Sequence, residues 1–188
     1  MLEQFDHYLK QTYRNRCRIS GANGPIILSI PVINVSGEKS LMKDIRIDYT
    51  QAWQKVHWKG ITSGYASSPY FEFIADDLIP FYENRYTYLI DFNLGLLECA
   101  LSIMELSCRI SFSEEFKPIV ENTSDPRHFI HPKKDYLDYD PAFKPVSYNQ
   151  VFIQKHGFIP NLSILDLLFN EGMNAKTILG ESIVQTFN

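Results

Sequence analysis

Arg16-Cys-Arg-Ile-Ser-Gly-Ala-Asn-Gly-Pro-Ile-Ile-Leu-Ser-Ile-Pro-Val32 reads as strand, turn, strand. Gly21, Asn23, Gly24 and Pro25 form a dense cluster of residues suited to the backbone angles of a turn. Ile26 to Val32 is a near-continuous apolar run, the pattern of a buried strand. Just upstream, Lys10-Gln-Thr-Tyr-Arg14-Asn-Arg16-Cys-Arg18-Ile19 sets three arginines at alternating positions and contains no acid. In an extended strand, side chains two apart share a face. Arg14, Arg16 and Arg18 are therefore expected to project together, with Tyr13, Asn15, Cys17 and Ile19 opposite. Three guanidinium groups on one face repel one another unless an anion lies between them, and their planar forks match phosphate and carboxylate. The stripe predicts an anionic ligand; the bland alternative pairs it with carboxylates such as Asp44 or Asp48.

Beyond a second turn at Ser36-Gly37-Glu38, Lys43 to Tyr49 alternates polar and apolar, as a half-exposed strand does. The three strands predict an antiparallel meander. Thr50 is placed to cap a helix running to Tyr65, with Trp53, Val56, Ile61 and Tyr65 as its apolar face. Pro69 blocks extension. Phe71 to Glu83 predicts a second helix that ends or kinks at Pro80. Arg85 to Leu106 is the longest periodic segment, with Leu89, Phe92, Leu96, Leu97, Ala100, Ile103 and Met104 on its apolar side. The stretch 113–145 is polar and proline-rich, longer than an ordinary connector. Order returns at Tyr148–Ile153 and at Lys155–Pro160, and Asn161 or Ser163 caps a short apolar helix ending at Gly172. The fold class is α/β in the α+β sense: a small, mainly antiparallel sheet packed with helices, a single domain over 1–188.

A chain of 188 residues can bury a core without disulfides or metals. Its formal charge of −4 argues against a general nucleic-acid binder, so the arginine stripe stands out against a mildly acidic surface. Cys17, Cys99 and Cys108 are odd in number and irregular in spacing, which reads as reduced thiols. The N-terminus carries acids where a signal peptide carries a basic region, and no apolar run approaches a membrane span. A cytoplasmic protein is expected.

Three blocks resemble the WbqC-like family of bacterial proteins: Lys10 to Cys17, the His57-Trp58 pair, and His156-Gly-Phe-Ile-Pro-Asn-Leu-Ser-Ile-Leu-Asp-Leu-Leu-Phe-Asn-Glu-Gly172. Members usually begin with a Gln-Pro-rich strand and a helix ahead of the position of Leu2; that element is absent here. The family is encoded among genes for surface-polysaccharide synthesis. The resemblance therefore implies work on activated sugars, such as transfer of an aminoacyl or acyl group to an activated amino sugar. The competing class is a non-catalytic scaffold or ligand-binding partner in the same pathway. A family alone does not establish a reaction.

Within that frame Arg14 and Arg16, with Asn15 between them, are candidates to hold the phosphate of a nucleotide sugar or of a carrier-bound acyl group. His57 falls within the apolar arc of its helix, where desolvation favours the neutral imidazole that a general base needs. A satisfied core histidine is the bland reading. His156 precedes a helix start, where free N–H groups attract anions; it is the second candidate for proton transfer. Trp58 and Tyr148 are candidates to line an acceptor pocket, and Ser163 and Asp166 to complete a wall. The bland readings are a cap for Ser163 and an arginine partner for Asp166. Asn93 is an amide amid leucines, suited to bonding a backbone turn. Cys17 lies between arginines but points to the apolar side. Asp125, His128 and His131 lack a matching further ligand for a metal, and Lys133 and Lys134 add positive charge beside them. No Walker loop, GxGxxG, HExxH or nucleophile elbow is present, so the sequence carries no metal or nicotinamide motif and leaves the cofactor unassigned. A homo-oligomer is allowed.

Overall fold

The computed structural model describes residues 1–33, 40–116, 130, 132 and 142–184. The turn expected at Ser36-Gly37-Glu38, and Asp125, His128, His131, Lys133 and Lys134 of the long polar stretch, lie outside the described residues.

The architecture is α+β. Strands β1 (Arg16–Ile19) and β2 (Ile26–Ser29) pair antiparallel, Arg16 opposite Ser29 and Ile19 opposite Ile26. Their turn closes with the Gly24 amide donating to the Gly21 carbonyl, and Gly24 takes a φ of 107° that a side chain would resist. The third strand of the expected meander is cut short. Met42–Asp44 is a 3-10 turn, and the segment after it touches its neighbours only through single bridges, Ile47 to Val32 and Arg46 to Tyr88. The alternation survives, since Ile45 and Ile47 are buried and Arg46 is exposed. The Asp48 amide donates to the Pro31 carbonyl at 2.9 Å. Pro31 has no N–H of its own, so a regular ladder cannot run through it.

Helices α1 (Trp53–Tyr65), α2 (Phe71–Glu83) and α3 (Leu89–Ile103) come next, then α4 (Ile153–His156), α5 (Ile164–Glu171) and α6 (Ala175–Glu181). Several boundaries differ from the sequence expectation. Thr50 is no cap: its amide donates to the Asp48 carboxylate, and α1 starts three residues later without a side-chain cap. The buried stripe of α1 is Trp53, His57, Ile61 and Tyr65, a strict four-residue spacing, while Val56 is 67% exposed. Pro80 does not end α2. It lies on the exposed face, where water can satisfy the carbonyl that proline leaves unpaired. Helix α3 begins at Leu89, not Arg85, because the preceding residues pair elsewhere: the Ile47 amide donates to the Thr87 carbonyl and the Leu89 amide to that of Ile45. Leu97 is exposed on α3, off the apolar side expected for it.

Two apolar clusters hold these elements. One gathers Ile19, Leu28, Ile61, Tyr65, Leu168 and Phe169; the other gathers Ile30, Ile45, Ile47, Trp53, Leu89 and Phe92. Fully burying one such side chain contributes about 1.5–3 kcal/mol. Helix α1 contributes to both clusters, and its seat against the hairpin is close. A Cβ at Gly64 would stand 2.5 Å from the Ser20 carbonyl oxygen, and the Tyr65 hydroxyl accepts the Ser20 amide at 2.8 Å. This seat fixes the gap between α1 and β2. Among the described residues no helix is long and apolar enough to cross a membrane.

Candidate functional site

Between β2 and α1 lies an open groove of about 850 Å³. Its β wall is Ile26 to Val32, and its helical wall runs from Gln51 to Ser63. Neither wall is the buried surface the sequence suggested. Ile27 is 58% exposed, and of the run from Ile26 to Ser29 only Leu28 is buried. Pro31 was the available signal, because proline in a strand marks an edge.

Three of the expected site residues meet in this groove: Asn15, Arg16 and His57. Asn15 sits where β1 begins. Its backbone carbonyl accepts the Ile30 amide at 2.8 Å, and its side-chain amide donates to the Ile30 carbonyl at 3.0 Å. Arg16 occupies the first position of β1 and has no carboxylate partner among the described residues. The ring of His57, in a residue only 6% exposed, packs edge-on against Trp53 at 5.0 Å. Its Nε2 donates to the Ser29 carbonyl at 3.0 Å, because a carbonyl can only accept. Nδ1 is thereby left as the acceptor of a neutral imidazole. Burial lowers the His57 pKa to about 4, and the bond to Ser29 opposes that only in part.

The groove is electrostatically one-sided. Lys10, Arg16 and Lys59 line it, and among the described residues no aspartate or glutamate does. It also holds unpaired polar atoms. Four buried side-chain atoms lack a hydrogen-bond partner among the described residues: Asn15 Oδ1, Arg16 Nε, Trp53 Nε1 and Asp166 Oδ1. The first three belong to residues of this groove. A buried donor or acceptor left unmade costs about 1–3 kcal/mol, so their concentration among residues of one groove calls for a reason. Lys10, Lys59 and the edge of β2 were not singled out from sequence, and only Lys10 stood in a stretch that drew attention.

The remaining candidates lie elsewhere. Arg14 precedes β1 and turns away, its guanidinium paired with Asp6 at 2.7 Å. Its carbonyl accepts the Asn93 side-chain amide at 2.8 Å, so Asn93 does bond a backbone turn. The stripe of three arginines is thus reduced to Arg16 and Arg18 on the strand. Trp58, next to His57, points to the other side of α1. There it lines a separate pocket of about 660 Å³ with Tyr49, Tyr82, Lys55 and Arg85. His156 ends α4 and donates from Nε2 to the Ala22 carbonyl at 3.1 Å, clamping the hairpin turn together with Lys155. Ser163 caps α5, its hydroxyl accepting the Leu165 amide, and Gly172 closes that helix at φ 56°.

Asp166 is fully buried and has no arginine partner among the described residues. Its Oδ2 accepts from the Tyr148 hydroxyl at 2.8 Å and from the Gln150 amide at 2.9 Å. Burial raises the Asp166 carboxyl, against these hydrogen bonds. Tyr148 and Ser163 line a third, smaller pocket of about 260 Å³. Cys17 is pushed up to about 11 by burial, which the Ser163 hydroxyl opposes only weakly, so it carries no thiolate at neutral pH. Among the described residues no cluster of His, Cys, Asp or Glu could hold a metal ion.

Comparison with known proteins adds a family. The model of the WbqC-like protein family matches residues 4–131 and 122–178. "Uncharacterized protein Rv1507c" of Mycobacterium tuberculosis (strain ATCC 25618 / H37Rv) is 29% identical over 199 residues, spanning 92% of this chain and 83% of its own. No solved structure matches.

Proposed function

Since the chain belongs to the WbqC-like protein family, we propose that it binds the phosphate end of an activated sugar or acyl donor used in bacterial surface-polysaccharide synthesis, in the groove between β2 and α1. The observation that carries this reading is Arg16. Its Nε lies buried without an acceptor among the described residues, in a groove that Lys59 also lines and to which no described acid contributes. A phosphate oxygen supplies the missing acceptor, and guanidinium–phosphate bonds are about twice as strong as neutral ones. Asn15 Oδ1 and Trp53 Nε1 add an acceptor and a donor for the uncharged part of the ligand.

If an acyl or aminoacyl group passes from a carrier thioester to an amine, the C–N bond forms as the C–S bond breaks and the carrier thiol leaves. The amine must lose a proton, and His57 Nδ1 is the acceptor at hand. With a pKa near 4 it is a weak base. A second reading, a non-catalytic ligand-binding partner in the same pathway, is favoured by the histidines. His57 Nε2 is committed to Ser29 and His156 to Ala22, and the two do not converge.

Isothermal titration calorimetry with UDP-N-acetylglucosamine and with 4′-phosphopantetheine tests the shared part of both readings. At least one should bind, and Arg16→Glu should weaken it by about tenfold or more, the scale of one charged hydrogen bond. Arg18→Glu, on the same strand but outside the groove, should leave binding nearly unchanged. Equal losses from the two variants, or no phosphate-dependent binding at all, would reject the proposal.

A further inference from the structure

The open edge of β2 narrows the class of ligand. In an antiparallel ladder, residues alternate between those whose N–H and C=O face the partner strand and those whose groups face away. The Ile30 amide donates to the Asn15 carbonyl, so Leu28 and Ile26, two and four residues back, also face β1. Ile27 and Ser29 therefore present their backbone groups to the groove. The same edge is covered further on, where Pro31 accepts from Asp48 and Ile33 donates to Arg46. Past Asp48 the covering chain leaves the sheet and enters α1. The Ser29 carbonyl is taken by His57, while the Ile27 amide, the Ile27 carbonyl and the Ser29 amide have no partner among the described residues.

We infer that the groove takes a phosphate-ended chain of secondary amides, the chemistry of a phosphopantetheine arm, laid along β2 as a short extra strand with its phosphate toward Arg16. This rests on the reading of the groove as a phosphate site and specifies its ligand. Two amide groups spaced along an extended chain can accept from Ser29 and exchange bonds with Ile27, as a strand added to a sheet edge does. The exposed side chains of Ile27 and Val56 flank that path and suit the methyl and methylene groups of such an arm. The charges agree, because the arm carries anionic charge only at its phosphate and, among the described residues, the groove is lined by Arg16 and Lys59 without acids. A nucleotide sugar would engage Arg16 but leave the amide edge unused.

The test is calorimetric titration of the whole chain with 4′-phosphopantetheine, pantetheine, inorganic phosphate and UDP-N-acetylglucosamine. The expected order puts 4′-phosphopantetheine at least tenfold tighter than either pantetheine or phosphate. Ser29→Pro removes only the groove-facing N–H, not a bond to β1, and should weaken 4′-phosphopantetheine about five- to tenfold, the scale of one hydrogen bond. Should that variant unfold, a ligand methylated at its amide nitrogens, which loses the donor to the Ile27 carbonyl, tests the same edge on the native protein, with a loss of similar size. Displacement of the bound arm by coenzyme A, or by a holo carrier protein, supports the inference and names the source. If 4′-phosphopantetheine binds no better than phosphate, or amide methylation changes nothing, the inference is overturned. Arg16-dependent binding of the nucleotide sugar in that case would leave the phosphate site standing.

Discussion

Acidification should loosen the joint between α1 and β2 through His57. The imidazole is nearly buried, packs on Trp53 and donates to the Ser29 carbonyl, so protonating it places a charge where only a neutral ring is accommodated. Its folded pKa is lowered to about 4 from the ordinary histidine value of 6.5. The sign comes from linkage: between those values the unfolded chain binds the proton and the folded chain does not. Stability from this group is full above pH 6.5 and is lost as pH falls toward 4. Between pH 7 and pH 4.5 the loss is about 2 kcal/mol, an order-of-magnitude figure. Asp166 works in the opposite direction, its raised carboxyl favouring the fold as pH falls, so the wild-type profile alone is ambiguous. The informative quantity is the difference between wild type and His57→Gln, which keeps a side-chain N–H but cannot titrate. Urea unfolding monitored by circular dichroism from pH 7 to 4.5 measures it. The variant should be less stable at pH 7 and lose its disadvantage at pH 4.5. Parallel profiles for the two proteins would show that His57 titrates as freely in the fold as outside it.

Tyr148→Phe removes one of the two hydrogen bonds on Asp166 Oδ2 and should cost about 1–3 kcal/mol in urea unfolding, more at pH 8 than at pH 5, because the lost donor served the charged carboxylate. Equal cost at both values would mean that the carboxyl does not change its charge between them. Gly64→Ala should lower the melting temperature despite alanine's better helix propensity, since its Cβ meets the Ser20 carbonyl; a cost of about 1–3 kcal/mol is the usual scale for overpacking. A rise in melting temperature would contradict the close seat of α1. Native protein treated with a thiol-specific disulfide reagent at pH 8 should react at exposed Cys108 and spare Cys17 until unfolding, as mass spectrometry of the labelled peptides would reveal.

The hairpin was legible in the sequence because two local signals agreed there, a turn cluster and the near-continuous apolar run that follows it. So were α2 and the capped helix ending at Gly172, each carried by periodicity with a proline or glycine near one end, and the body of α3, carried by periodicity alone. Errors arose where tertiary pairing overrode local preference. Arg85 to Tyr88 reads as helix, but the chain there bonds to the segment around Ile47, a partner about forty residues back that periodicity cannot see. Ile26 and Ile27 read as buried because apolar runs usually are, yet the covering strand departs after Asp48 and leaves them open. The candidate site shows the same limit. Residue chemistry identified Asn15, Arg16 and His57, but strict alternation wrongly extended the strand back to Arg14. The 100° step between neighbouring helical residues sends His57 and Trp58 into different pockets. Lys59 carries no distinctive signal and the edge of β2 is marked only by Pro31, so both emerge as parts of the groove once α1 is laid against the hairpin.

The proposed function stands or falls on a phosphate that accepts from the buried Nε–H of Arg16. The ¹⁵N-correlated NMR signal of that group, tracked while 4′-phosphopantetheine or UDP-N-acetylglucosamine is added, reports on the bond itself. A saturable shift of the signal, with the Ser29 amide moving in step for the amide-bearing ligand, is the expected result. Binding that leaves the Arg16 Nε–H signal in place would contradict it.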